Sequence, residues 1–186
     1  MKIKLLIFVF FLFNCGLHAQ SFIKTQGGAT DVAISPKDGS VYVVGTSKNV
    51  FKYNFGTKRF GPVGAQTKDV SRIAISKSNQ IFAQKINGSV ERSIGSSSWQ
   101  KMSMFSTDVA TDNTGYVWVA KRSGGDVQRY KSKWGRPLSK VIINADKIAP
   151  INNRVAWVLM KDKSIQKFEN GAWKKMPGAA LDISVD

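Results

Sequence analysis

The amino-acid sequence predicts an all-β repeat fold, a β-propeller of four-stranded blades about 38 residues long. Three observations predict it. An aromatic residue heading a short polar and apolar stretch recurs at Phe22, Phe60, Trp99, Trp134 and Trp173. Short strand patterns follow these aromatics in a constant order. No segment holds the 3.6-residue helical period for three turns, and β-branched and aromatic residues dominate instead.

Each repeat reads as four strands. The first is Asp31–Ser35, Arg72–Ser76, Asp108–Asp112, Lys147–Ile151 and Asp182–Asp186 in successive repeats. The second is Val41–Val44, Ile81–Gln84, Val117–Ala120 and Val155–Leu159. The third, with alternating character, is Val50–Tyr53, Val90–Ser93, Val127–Tyr130 and Ile165–Phe168. The fourth starts at the recurring aromatic. Asp38-Gly39, Asn87-Gly88, Thr114-Gly115 and Gly124-Gly125 supply the positive φ that reversing strands require. One such sheet cannot bury both of its faces, so neighbouring blades must cover it. A sandwich of short strands would not demand the fixed period. The order gives four full repeats plus an incomplete fifth formed by the two termini: a fourth strand from Phe22 and a first strand from Leu181. Such a count leaves open a half blade, a truncated product, or a homo-oligomer in which a second chain completes the ring.

Residues 1–19 read as a signal peptide. Lys2 and Lys4 precede an apolar run from Leu5 to Phe13, and Gly16-Leu17-His18-Ala19 closes it with a cleavage site before Gln20. That run is too short to cross a bilayer core of roughly 30 Å as a helix, and no comparable run follows it, so no transmembrane segment is expected. A lipoprotein reading of Cys15 fits less well, because Leu12-Phe13-Asn14 lacks small residues before the cysteine. The expectation is a secreted or periplasmic product whose single domain is residues 20–186.

Cleavage would remove the only Cys and the only His. Ser-His-Asp and Cys-His catalysis and Cys/His zinc sites are then excluded. The sequence has no Gly-rich phosphate loop followed by Lys-Ser or Lys-Thr. Among the 12 acids, Asp31, Asp108 and Asp182 share one repeat position, as backbone-bonding residues do and a glycosidase pair does not. Asp112-Asn113 reads as a turn rather than a calcium loop. Neither an enzyme activity, a metal nor a cofactor is expected. The 28 Lys and Arg residues give a net charge of +16, a field that favours polyanionic partners. They are scattered rather than clustered, so charge alone names no partner, and nucleic acid is an unlikely one.

The stretch Trp173–Asp186, with its Trp, Gly and Ile-Ser-Val strand, resembles the tectonin repeat. Trp118 and Trp157 occupy its second-strand Trp position, and Arg129-Tyr130 and Lys167-Phe168 match its basic-aromatic strand ending. Phe22, Phe60 and Phe82 stand where that repeat has Trp. The resemblance covers nearly all of residues 22–186 and is similar to tachylectin and fish-egg lectin propellers. It implies a lectin for glycans or bacterial surface saccharides such as lipopolysaccharide.

The candidate sugar-binding residues are Trp99, Trp134 and Trp173, with Lys101, Arg136 and Lys175 beside them. Sugar C–H patches pack on an aromatic face while nearby polar side chains bond the hydroxyls. The same Trp residues could equally fill the core between blades, as Trp118 and Trp157 are expected to do. The recurrent cations Lys52, Arg92, Arg129 and Lys167 read as a solvated outer face or as a ring attracting anionic saccharide. An exported scaffold for protein–protein contact, with no sugar binding, is the alternative function, since fold alone does not separate the two.

Overall fold

A computed structural model of the chain describes residues 27–64, 67–95, 98–131, 142 and 144–185. The expected leader, Phe22, Trp134 and Arg136 lie outside these residues. Among the described residues there are fourteen strands and no helix. They form four antiparallel units, each running outward from its first strand. Unit 1 comprises β1 (Ala29–Ile34), β2 (Val41–Gly45), β3 (Val50–Asn54) and β4 (Arg59–Pro62). Unit 2 comprises β5 (Val70–Ile75), β6 (Ile81–Lys85), β7 (Ser89–Ile94) and the first half of β8 (Ser98–Thr111). Unit 3 takes the second half of β8, then β9 (Val117–Lys121) and β10 (Val127–Tyr130). Unit 4 is β11 (Ala145–Asn152), β12 (Val155–Met160), β13 (Ser164–Glu169) and β14 (Ala172–Ala179).

The second and third strands fall where the sequence places them, and so do the first strands of units 1 to 4. One junction differs. β8 is a single 14-residue strand that serves two units: Phe105 pairs with Ser89 of β7, and Ser106 pairs with Lys121 of β9. The cause is local. From Lys101 to Asp108 the alternation continues through buried Met102 and Met104 without a Gly or Pro to break it.

Strand alternation gives every unit two faces. The forward face of unit 1 carries Ala33, Tyr42, Val44 and Val50, which pack on Ile73, Ile75, Ile81 and Ala83 of unit 2. Phe82, Val90, Met102 and Met104 likewise meet Val109, Val117 and Val119 of unit 3. Trp118, Ala120 and Val127 meet Ile148, Ala156, Val158 and Phe168 of unit 4. The core is therefore three sheet-to-sheet contacts in series. The rear faces of units 2, 3 and 4 are each buried by the unit before them.

A backbone contact sets the spacing of these contacts. The last positive-φ residue of the turn between second and third strands is Lys48 (60°), Gly88 (90°), Gly125 (66°) and Lys163 (70°) in units 1 to 4. That residue's carbonyl accepts the N–H at the start of the next unit: Val70 to Lys48 at 2.9 Å, Ser106 to Gly88 at 2.7 Å, Ala145 to Gly125 at 3.0 Å. Ala180 donates to Lys163 in the same way at 3.1 Å. Gly125 is required twice over, because a Cβ there would lie 2.5 Å from the Asn144 nitrogen.

The second residue-level lock lies on the first strands. One repeat position reads Asp31, Arg72, Asp108, Lys147, Asp182, acid and base in alternation. Asp31 Oδ2 accepts the Ile73 N–H at 2.7 Å, and Asp108 Oδ2 accepts the Ile148 N–H at 2.8 Å. Arg72 Nε stands 2.8 Å from Asp108 Oδ1, and Lys147 Nζ 2.8 Å from Asp182 Oδ1. Asp108 Oδ1 takes no aligned hydrogen bond, so Arg72 acts on it as a charge. The recurring acids thus bond backbone, as their repetition suggests. Asp112 is also structural. Its Oδ1 closes the turn on Thr114 and Tyr116, and its Oδ2 accepts the Trp118 Nε1–H at 2.8 Å.

Burial pushes the Asp108 carboxyl up to about 6, against the pull of Arg72 and of the Ile148 N–H. A carboxyl raised on folding binds a proton more tightly in the native state. Its stabilising contribution is therefore present at low pH and is lost as pH rises through the folded pKa of about 6. Melting curves of the natural protein and of Asp108→Asn between pH 4 and pH 7 test this. The natural protein's stability relative to the variant should fall with rising pH, by on the order of 1–3 kcal/mol across that window. A pH-independent difference would contradict the assignment.

Candidate functional site

One place in the repeat forms an open depression, bounded by the turn between second and third strands and by the outer two strands. In unit 2 it is a cavity of about 440 Å³ lined by Asp69, Lys85, Ile86, Asn87, Ser89, Glu91 and Lys101. Ser89 donates to Asn87 Oδ1 from both its backbone nitrogen (2.9 Å) and its hydroxyl (2.8 Å). Lys85 Nζ lies 3.1 Å from Glu91 Oε2, which also accepts the Thr67 hydroxyl. Glu91 faces Lys101 directly across the β7–β8 ladder. Phe105 is 52% exposed, with Lys101 Nζ 5.9 Å from its ring centre.

Unit 4 repeats this arrangement. Gln166 faces Lys175 across the β13–β14 ladder, as Glu91 faces Lys101. Asp162 Oδ1 accepts the Ser164 N–H at 2.9 Å and its hydroxyl at 2.7 Å, as Asn87 does with Ser89. The Ser164 hydroxyl and N–H hold the Asp162 carboxyl below its ordinary value, and the Lys175 charge adds to the effect. In unit 1 the same place is apolar. Phe51 faces Pro62 there, and Tyr53, Phe55 and Phe60 extend a cleft of about 660 Å³.

Lys101 and Lys175 are thus brought to one repeat position, both exposed, and Lys101 lines the unit 2 cavity. Trp99 and Trp173 each lie two residues earlier on the same strands. Both are half-buried, Trp99 against the core between units 1 and 2 and Trp173 against the core between units 3 and 4. The Trp173 ring sits 5.1 Å from that of Phe168. Trp118 is fully buried, while Trp157 is half-buried. The recurrent cations have a role that sequence reasoning missed. Each is cross-strand from the second-strand aromatic: Lys52 from Tyr42, Arg92 from Phe82, Arg129 from Trp118, Lys167 from Trp157. Three of them stand over the facing ring, at 5.4 Å, 5.5 Å and 5.5 Å for Lys52, Arg129 and Lys167. Phe105 was also missed, because it lies in the link between units and not at the recurring aromatic.

Among the described residues no group of three His, Cys, Asp or Glu side chains is gathered as a metal site, and no helix is long and apolar enough to cross a membrane. The sequence matches no family model and no curated protein. The fold does match solved structures. The RRP9 WD40 repeats superpose with a TM-score of 0.66 at 9% identity, over 84% of this chain and 53% of that one. An auxiliary nutrient binding protein from Bacteroides thetaiotaomicron VPI-5482 gives 0.64 at 15% identity, over 85% and 44%. A Kuenenia stuttgartiensis hydrazine synthase gives 0.61 at 10%, over 87% and 53%. The fold is of the β-propeller class. This propeller-class chain spans about half the length of the structures it matches.

The packing of the outer-strand Trp residues has a measurable consequence. Trp173→Ala should cost about 2–4 kcal/mol of stability, from lost burial and the cavity left beside Phe168. Chemical denaturation measures it. A change within about 0.5 kcal/mol, the range of ordinary surface substitutions, would remove Trp173 from the core.

Proposed function

We propose that this chain is a non-catalytic carbohydrate-binding module, an exported lectin for glycans or anionic surface saccharides of the lipopolysaccharide type. The observation that carries the reading is the recurrence of one polar constellation at one repeat position. Asn87, Ser89, Glu91 and Lys101 form it in unit 2, and Asp162, Ser164, Gln166 and Lys175 in unit 4. Such groups can share the hydroxyls of a sugar, and Phe105 offers an exposed ring beside the first set. On this reading the units are tectonin-type blades of about 38 residues, four of them full. Residues 181–185 open an incomplete fifth. Single sites of on the order of millimolar affinity would add through avidity on a polyvalent surface. The charge of +16 favours anionic saccharides further.

One observation favours the alternative, a protein-binding scaffold without sugar affinity: Trp99 and Trp173 contribute to the cores between units. Retention on immobilised lipopolysaccharide and on a glycan array, at low and at physiological salt, separates the two. The lectin reading expects retention that weakens with salt and drops at least tenfold in a Lys101→Ala, Lys175→Ala double variant of unchanged melting temperature. Absence of retention at either salt would sink it.

A further inference from the structure

The polar depression of unit 2 has an aromatic platform that its counterpart in unit 4 lacks. Across the β7–β8 ladder Ser89 faces Phe105 and Glu91 faces Lys101. In unit 4 the matching pairs are Ser164 with Ala179 and Gln166 with Lys175. Phe105 thus stands where an alanine suffices in unit 4, so the fold itself does not call for an aromatic there. It also adds little to the core: Met102 and Met104 are 3% and 5% exposed, whereas Phe105 is 52% exposed. A bulge delivers it to the depression. Between the two pairs β8 runs from Lys101 to Phe105 while β7 covers only Ser89 to Glu91, and an irregularity of this kind re-aims a side chain. The backbone of the platform is then held on both sides. The Phe105 carbonyl accepts the Arg122 N–H at 3.1 Å, and the next amide, that of Ser106, donates to Gly88 at 2.7 Å.

The polar groups around this platform are already sorted into donors and acceptors. The Ser89 backbone N–H can only donate, so it fixes Asn87 Oδ1 as its acceptor, which leaves Nδ2 as a donor. Lys85 Nζ and the Thr67 hydroxyl both engage Glu91 Oε2, which leaves Oε1 to accept. Lys101 Nζ stands 5.9 Å from the centre of the Phe105 ring and supplies a second donor at the platform. The charges that line the depression balance, Lys85 and Lys101 against Asp69 and Glu91. A carboxylate or phosphate entering it would meet two anions as well as two cations. Hydroxyls donate and accept at once, and they suit a set of this composition.

We propose that the unit 2 depression is the principal sugar site and that it takes a neutral pyranose with adjacent hydroxyls. This rests on the lectin reading and narrows it. One face of the sugar packs its C–H groups on Phe105, on the side where the Lys101 ammonium stands in the free chain. One hydroxyl donates to Glu91 Oε1, and its neighbour accepts from Lys101 and Asn87. Unit 4 keeps the cation and the turn but has Ala179 in place of the platform and a neutral Gln166 in place of the carboxylate, so it binds more weakly. The net charge of +16 draws anionic polymers to the surface without selecting the ring that is bound.

The test is a titration of the full chain followed by two-dimensional amide NMR. The probes are the methyl α-glycosides of glucose, galactose and mannose, with glucuronic acid and glucosamine as charged comparisons. At least one neutral glycoside should shift the amides of Ile86, Ser89 and Phe105 saturably, while Ser164 and Ala179 respond only at higher concentration. Its affinity should change less than about twofold between low and physiological salt, since neither partner group is a net charge. Phe105→Ser, at an exposed position, should weaken binding at least tenfold without lowering the melting temperature, and Phe105→Trp should retain it. Unchanged affinity in Phe105→Ser, equal response at Ala179 and Phe105, tighter binding of either charged sugar, or no shift with any neutral glycoside would overturn the proposal. Retention on the glycan array alongside any of these results would keep the lectin reading and discard this site; loss of that retention as well would discard both.

Discussion

The carbonyl of one turn residue in each unit governs the rest of the structure. Lys48, Gly88, Gly125 and Lys163 hold positive φ and point their carbonyls at the first N–H of the next unit. A hydrogen bond of this kind contributes modestly by itself, about 1 kcal/mol net. Its importance is positional. It sets where each first strand begins, and so which residues of that strand face forward and which face back. A slip of one residue would turn Ile73 or Ile148 away from its core. The alternation of Asp31, Arg72, Asp108, Lys147 and Asp182 works at the same register, joining side chain to backbone and cation to anion across successive units.

Given that scaffold, chemistry varies by substitution at a few repeat positions. The third-strand residue that is Phe51 in unit 1 is Glu91 in unit 2 and Gln166 in unit 4. The outer-strand residue facing it changes from Pro62 to Lys101 to Lys175. One geometry thereby yields an apolar cleft in unit 1, a polar, cation-bearing depression in unit 2 and the corresponding polar side chains in unit 4. Function can diverge between units while the inter-unit cores stay alike, because the cores draw on other positions of the same strands.

Much of this was legible in the sequence. Second and third strands were readable because period-two alternation and the Gly-containing turns agree about where each strand starts. The pairing of Trp99 with Lys101 and of Trp173 with Lys175 was readable as spacing, and two residues on a strand do place them on one face. Which member of each pair packs and which is exposed was not readable, because it depends on the unit alongside. The continuous β8 escaped notice for a related reason: Met102-Ser103-Met104 carries no turn chemistry, yet nothing local says that two sheets share it. The cation over the second-strand aromatic could have been found, since Lys52, Arg129 and Lys167 keep a constant offset from Tyr42, Trp118 and Trp157.

Hydrogen exchange of individual amides tests the governing contact most directly, since protection reports the free energy of opening each bond. Val70, Ser106 and Ala145 should exchange slowly, and Ala180 should share their protection although, among the described residues, no strand pairs with the segment that follows it. Free exchange at Ala180 alongside slow exchange at the other three would show that the junction stops at unit 4. Fast exchange at all four would contradict the account of how the units are held in register.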